Sequence, residues 1–137
     1  MIEPAHDQPG YVLHRRSYRE SSLLVDFLTQ DHGRVSGVVR GARQKGRAPL
    51  EPFVNVSLSW RGRGELVTVT SHDVVLQRHV AGRALYAGLY LNEILVRTLR
   101  DNEPVGTLYG HYELAIADLA SGCLLYTSPS PRDNTLS

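Results

Sequence analysis

The sequence predicts a small β barrel followed by helices, and two observations carry this prediction. Between residues 11 and 75, five apolar runs alternate with a period of two and are separated by polar or Gly-containing segments, as antiparallel strands are. Beyond Gly82 the apolar period becomes helical. Five short strands in roughly 70 residues leave little room for crossover helices, which favours a small antiparallel barrel. An SH3-like barrel and an open sheet are the alternatives.

The strands are predicted from alternation and from their β-branched residues. Asp26 lies in one of the apolar runs, and we interpret it as a hydrogen-bonded structural carboxylate near a barrel end rather than a catalytic group. Trp60 shares its face with Val54, Val56 and Leu58, which favours a core position over an exposed platform for stacking. The predicted strands are residues 11–18, 22–30, 33–41, 52–61 and 64–75.

Two helices are predicted, over residues 83–104 and 104–120. The first is apolar on most of its circumference, so it requires burial on several sides. Pro104 suits the first turn of the second. Two helices form half of a bundle, so we predict a barrel domain over 1–80 and the start of an incomplete, all-helical domain over 81–120. The main apolar stripe of the first helix is Leu85, Leu89, Val96 and Leu99.

The tail abandons helical periodicity. The stretch "CLLYTSPSPRD" (123–133) turns to Ser and Pro and resembles a sequencing adapter translated in one frame. We therefore expect residues 121–137 to be a non-native tail, with Cys123 uninformative; a linker is the alternative. The native protein would then continue where this chain changes character.

Several functional classes are disfavoured. One cysteine excludes an internal disulfide, and the six histidines show neither an HExxH motif nor a zinc-binding spacing. No catalytic constellation stands out, so we expect no enzyme activity, no metal and no cofactor. The N-terminus lacks the apolar core of a secretory signal, and no run approaches the roughly 18 apolar residues of a membrane helix. These features predict a soluble cytoplasmic protein without membrane contact.

Cations concentrate in the middle of the chain. Residues 34–63 contain seven of them against one carboxylate, Glu51, although the whole chain has a net charge of only +1. Glycines among them let a main chain approach phosphates closely, which indicates a surface for a phosphate backbone. Arg34 and Arg40, six residues apart, share one face of a strand. A merely solubilising surface is the alternative. The candidate residues are Arg34, Arg40, Arg43, Lys45, Arg47, Arg61 and Arg63.

Three segments together resemble the bacterial recombination mediator family RecO. They are "YVLHRRSYRESSLLVDFLTQDHGRVSGVVRGAR", "LEPFVNVSLSWRGRGELVTVTSHD" and "ALYAGLYLNEILVRTLRDNEP". Each is weak alone, but all occur in the family's order over about residues 10–120. The resemblance implies a five-stranded OB-fold followed by a helical domain, in a cytoplasmic, nucleoid-associated protein of bacteria that has no enzyme activity in the usual sense.

The resemblance also implies partners. RecO-like proteins bind single- and double-stranded DNA, anneal strands, and act with RecR and RecF to load RecA on DNA coated by single-strand-binding protein. Carried over, the DNA surface is Arg34, Arg40 and Arg43, with Lys45 and Arg47 beyond; Arg61 and Arg63 are a weaker match. The site for single-strand-binding protein, and the zinc site of some members, would lie in the missing helical part.

Two departures set the expectations for this chain. The loop after "GAR" is shorter and less basic than expected in the family, and most of the helical part is absent. We expect weak DNA binding, no RecA loading and aggregation through the first helix. Two alternatives stay open: an OB-fold module that binds an acidic protein segment, and a barrel appendage of a truncated nucleic-acid enzyme.

Overall fold

The computed structural model describes residues 5–41, 50–62, 65–100 and 106–121. Five strands form a closed barrel in the order β1-β2-β3-β5-β4, and two helices follow. This confirms the predicted five-stranded OB-type barrel and the start of a helical part. The elements are β1 (Ala5–Tyr18), β2 (Ser22–Thr29), β3 (Gly33–Val39), β4 (Val54–Arg61), β5 (Val67–Gln77), α1 (Arg83–Thr98) and α2 (Gly106–Ser121).

The barrel is not wholly antiparallel, which corrects the prediction made from the residues. Four ladders are antiparallel, but β3 and β5 pair in parallel, through Gly37–Val67 and Val38–Thr68. The reason is geometric: five strands cannot alternate in direction all the way around a closed ring, so at least one neighbouring pair must run the same way. A Cβ on Gly37 would lie 2.8 Å from Cγ2 of Val69, so glycine lets β3 approach β5 closely.

The first strand is longer than predicted. It begins at Ala5 rather than residue 11, and its first half pairs with β4 while its second half pairs with β2. Pro9 and Gly10 interrupt the alternation of apolar and polar residues, so the sequence did not predict the first half of this strand. The Pro9 carbonyl is nevertheless used, because it accepts a hydrogen bond from the amide of Gln30 at 3.2 Å. The barrel thus closes through a strand shared by two partners.

The barrel interior is filled as the alternation predicts. Trp60 is 3% exposed and stands edge-on to His32, with ring centroids 5.1 Å apart. Its predicted core position is confirmed. The interior cluster contains Val12, Leu23, Val25, Phe27, Val35, Val39, Val54, Val56, Leu58, Trp60, Val67 and Val69.

A second core joins the outer face of the barrel to both helices. Its barrel side includes Tyr11, Leu13, Leu28 and Phe53, and its helix side includes Ala84, Leu95, Tyr109, Tyr112, Ile116 and Leu119. Buried Asn92 connects these parts: its amide donates to the Leu13 carbonyl (2.9 Å), and its carbonyl oxygen accepts from the Tyr112 hydroxyl (2.7 Å). Satisfying each polar group in this way removes the cost of burying it.

The main apolar stripe of α1 is buried only in part. Leu85, Val96 and Leu99 are partly buried against the second core, and Leu89 is exposed. The fully buried residues of the helix are Ala84, Gly88, Asn92 and Leu95. The barrel requires close approach: a Cβ on Gly88 would lie 2.7 Å from Cζ of Phe53. Tyr86 and Tyr90 remain exposed. The predicted first turn around Pro104 lies outside the described residues. No helix in the described part of the chain is long and apolar enough to cross a membrane.

Candidate nucleic-acid interface

The structure describes three of the seven predicted cations. Arg34 lies on β3, Arg40 directly follows that strand, and Arg61 ends β4. Arg43, Lys45, Arg47 and Arg63 lie outside the described residues. Burial alternates along β3, with Val35, Gly37 and Val39 inside and Arg34, Ser36 and Val38 outside, and Arg40 continues the outer series. Arg34 and Arg40 therefore share a face, as predicted.

One cross-strand row brings Arg40 and Arg61 to the same side of the barrel. Arg61 stands opposite Thr68, and Thr68 stands opposite Val38, two residues before Arg40. The row continues through Leu24 to Arg16 on β1, so it crosses all five strands. Arg16, Arg40 and Arg61 are exposed, whereas the apolar members between them are half-buried. We call Arg16, Leu24, Val38, Thr68 and Arg61 the outer row.

Sequence reasoning missed Arg16. Arg16 lies in a predicted strand, but it is 45 residues from Arg61 in the sequence, so the sequence does not show that the two lie on one row across the sheet. Alternation within the first strand could have predicted that Arg16 lies on the outer face of the barrel. Its alignment with Arg61 could be predicted only from the order of the strands. The face is not uniformly cationic, because Glu65 shares a recess with Arg16 and Arg34. The exposed arginines give the row its capacity to contact phosphates.

Arg34 differs from its neighbours because its guanidinium is engaged within the protein. Its side chain is 18% exposed, and Nη1 lies 3.2 Å from Oδ1 of Asp26 and 3.2 Å from Oγ of Ser36. Nε donates to the Leu99 carbonyl at 3.1 Å. The Ser36 hydroxyl also donates to Asp26. Asp26 is thus a hydrogen-bonded structural carboxylate, as predicted, and Arg34 connects the barrel to the end of α1. Its contact with DNA stays a prediction.

Three tyrosines, one on β1 and two on α2, are buried in the second core. Burial raises the pKa of Tyr11, Tyr109 and Tyr112 above the usual 10.0. A hydrogen bond from the Tyr11 hydroxyl to Glu113 (2.9 Å) raises the pKa of Tyr11 further. Neutral phenols of this kind donate hydrogen bonds and fill the core. Within the described ranges, no three His, Cys, Asp or Glu side chains group as metal ligands do.

Comparison with known proteins decides the family. The family model described as "Recombination protein O N terminal" matches residues 1–78, more than half of the chain. The chain belongs to the RecO family. The family resemblance is thereby confirmed, and the match covers the barrel and the whole outer row.

Curated RecO relatives extend the similarity into the helices. The chain is 47% identical over 122 residues to a "DNA repair protein RecO" of Pseudomonas putida strain KT2440, covering 88% of this chain and 53% of the relative. It is 48% identical over 123 residues to the one from Pseudomonas entomophila strain L48, covering 89% and 53%. For Pseudomonas aeruginosa strain PAO1 the identity is 46% over 116 residues, covering 84% and 49%. The chain spans about half the length of these relatives.

Proposed function

We propose that this chain is the DNA-binding N-terminal part of a RecO-type mediator of DNA repair. The observation that carries the proposal is the arrangement of Arg40 and Arg61, which border Thr68 on one outer face of the barrel. Arg40 leads directly into the segment that holds Arg43, Lys45 and Arg47. The names of the relatives, and the family they share with this chain, support a role in DNA repair.

The mechanism of binding is electrostatic. Arginines that neutralise backbone phosphates release condensed counterions, and this release supplies affinity without reading the bases. Single- and double-stranded DNA are both ligands on this proposal, because both present the backbone. Since Trp60 is enclosed in the barrel core, it offers no stacking platform. The chain acts by binding rather than by catalysis.

The mediator steps belong to the longer protein. We propose that it anneals complementary strands and, with RecR and RecF, loads RecA on DNA coated by single-strand-binding protein. This chain spans about half of its relatives, and the site for single-strand-binding protein is proposed to lie in the remaining half. The chain alone is therefore expected to bind DNA weakly and not to load RecA.

Fluorescence anisotropy of a labelled single-stranded oligonucleotide tests the proposal. The 137-residue chain is titrated at several salt concentrations beside the variant Arg40→Ala/Arg43→Ala/Lys45→Ala. The matched control, Arg83→Ala/Arg97→Ala/Arg100→Ala, removes three exposed cations of the α1 region instead. Loss of three phosphate contacts is expected to reduce the slope of log K against log salt by about 2 for single strands. The control is expected to retain the parent slope.

Failure has a distinct form. If the parent, shown to be folded by circular dichroism, does not bind at low salt, the DNA proposal is wrong, and an acidic peptide becomes the next ligand to try. If both triple variants lose affinity equally, the effect reflects total charge and the assigned face is wrong.

A further inference from the structure

A recess lies between the turn that joins β1 to β2 and the end of β3. We propose that it is a subsite for one backbone phosphate of DNA, with Arg19 as a contact residue that the sequence did not predict. This inference rests on the proposed DNA-binding function and adds a specific ligand group to it. The recess is lined by Tyr18, Arg19, Ser22, Val38, Arg40 and Thr68.

Arg19 is held in an unusual backbone conformation. Its φ is 59°, in the left-handed region that residues other than glycine rarely adopt. Such conformations carry a cost and occur often at binding sites. The guanidinium carbon lies 5.1 Å from the centroid of the Tyr18 ring, within the range of a cation–π contact. The turn and the ring together position the guanidinium at the recess.

The lining chemistry suits a phosphate. Guanidinium groups bind phosphate oxygens in a bidentate manner, and here they come from two sides, Arg19 on the turn and Arg40 after β3. Ser22 and Thr68 add hydroxyls, which can donate to the same anion. None of the described lining residues carries a carboxylate. The ion pairs that the structure describes for arginines join Arg34 to Asp26 and Arg97 to Glu93, and neither of these pairs includes Arg19 or Arg40.

The recess also continues the outer row. Thr68 belongs to both, and it stands opposite Arg61 on the neighbouring strand. A path from Arg61 past Thr68 to Arg40 and Arg19 therefore crosses β4, β5 and β3 before it reaches the β1–β2 turn. A DNA backbone on this path would run across the strands and meet cations at its two ends and in its middle.

The test is a double-mutant cycle of the 137-residue chain on the labelled single-stranded oligonucleotide. The variants are Arg19→Ala, Arg40→Ala and their combination, with Arg83→Ala as a control that removes one exposed arginine from α1. If both arginines hold one phosphate, each single variant loses affinity several-fold. The double variant then loses less than the product of the two losses, because the shared contact is broken already by the first substitution. Arg83→Ala is expected to bind as the parent does.

A further variant separates charge from geometry. Arg19→Lys keeps the charge, so it is expected to keep the salt slope, but it loses the planar fork and therefore binds more weakly than the parent. Urea unfolding midpoints equal to that of the parent show that the variants are folded.

The failures are distinguishable. A folded parent that does not bind overturns both the DNA proposal and this subsite. A parent that binds, with Arg19→Ala unchanged, overturns the subsite alone. Strictly multiplicative losses in the double variant would mean that the two arginines contact separate phosphates, which also overturns it.

Discussion

The guanidinium of Arg34, on the barrel, donates to the carbonyl oxygen of Leu99, directly after α1, over 3.1 Å. On its other side the same group pairs with Asp26 at 3.2 Å. Leu99 has left the helix, with extended backbone angles, while its amide still donates to the Leu95 carbonyl. Arg34 thus supplies a donor where the helix ends and ties that end to the sheet. Arg34 is therefore a predicted DNA contact that also has a structural role, because its guanidinium links the barrel to the end of α1.

Removal of Arg34 is expected to destabilise the protein. Arg34→Ala takes away a charged donor from Asp26 and the Leu99 carbonyl, which should lower the free energy of unfolding by about 1.5–3 kcal/mol. Arg40→Ala, at an exposed site after the same strand, should change it by less than about 0.5 kcal/mol. Urea unfolding followed by circular dichroism measures both. Equal effects of the two variants would show that the Arg34 contacts contribute nothing to stability.

Two glycines in the helices are expected to respond in opposite directions. Gly88→Ala places a Cβ 2.7 Å from Cζ of Phe53, so overpacking should cost about 1–3 kcal/mol. Gly110→Ala, in α2, meets nothing within 4 Å and should stabilise by up to about 1 kcal/mol through helix propensity. Because the substitution is the same at both sites, the midpoints of thermal unfolding of the two variants can be compared directly. Stabilisation by Gly88→Ala would contradict the close packing of α1 on the barrel.

Alkaline pH is expected to unfold the protein through its buried phenols. The folded-state pKa values of Tyr11, Tyr109 and Tyr112 are raised, chiefly by burial, above the usual 10.0. Above pH 10 the unfolded chain therefore releases protons that the folded chain retains. Their stabilising contribution is complete below about pH 10 and is lost as the pH rises further. Urea midpoints from pH 8 to 12 test this, and Tyr112→Phe should flatten the alkaline fall. An unchanged profile in that variant would exclude Tyr112 as a source.

The outer face of α1 is expected to cause self-association. Tyr86 and Tyr90 are 76% and 71% exposed, and Leu89 and Ile94 lie beside them. Tyr86→Lys/Tyr90→Lys should reduce aggregation, measured by light scattering, because it interrupts an apolar patch. Stability should change little, since both side chains are largely exposed. Leu114→Lys, at an exposed leucine of α2, serves as the control and should leave aggregation nearly unchanged. Aggregation undiminished in the double variant would implicate another surface.

Local patterning predicted most of the fold. Strict alternation located β2 to β5 within a few residues and placed Trp60 in the core, because every second side chain of a half-buried strand must be apolar. The family resemblance implied that the barrel is an OB-fold, but no order of the strands was predicted. Alternation failed at the start of β1, where Pro9 and Gly10 break the pattern although the backbone still pairs.

Relations between distant residues were the part that the sequence did not reveal. The apolar stripe of α1 did not reveal Gly88 as the point of closest contact, because the fit of Gly88 to Phe53 depends on how near the barrel lies. The engagement of Arg34 with Leu99 spans 65 residues, and no local pattern records it. Arg16 and Arg19 were missed for the same reason, since their roles depend on which strands become neighbours.

The parallel pairing of β3 with β5 has a consequence for the native ensemble. This ladder joins two residue pairs, whereas the antiparallel ladders extend over five or more. Amide hydrogen exchange should therefore be fastest, among the described barrel strands, where β3 meets β5, as local opening there breaks the fewest bonds. Arg40 and Arg61 flank this junction. A DNA backbone bound to both arginines would hold β3 and β5 together, so DNA binding would slow amide exchange in the least protected part of the sheet.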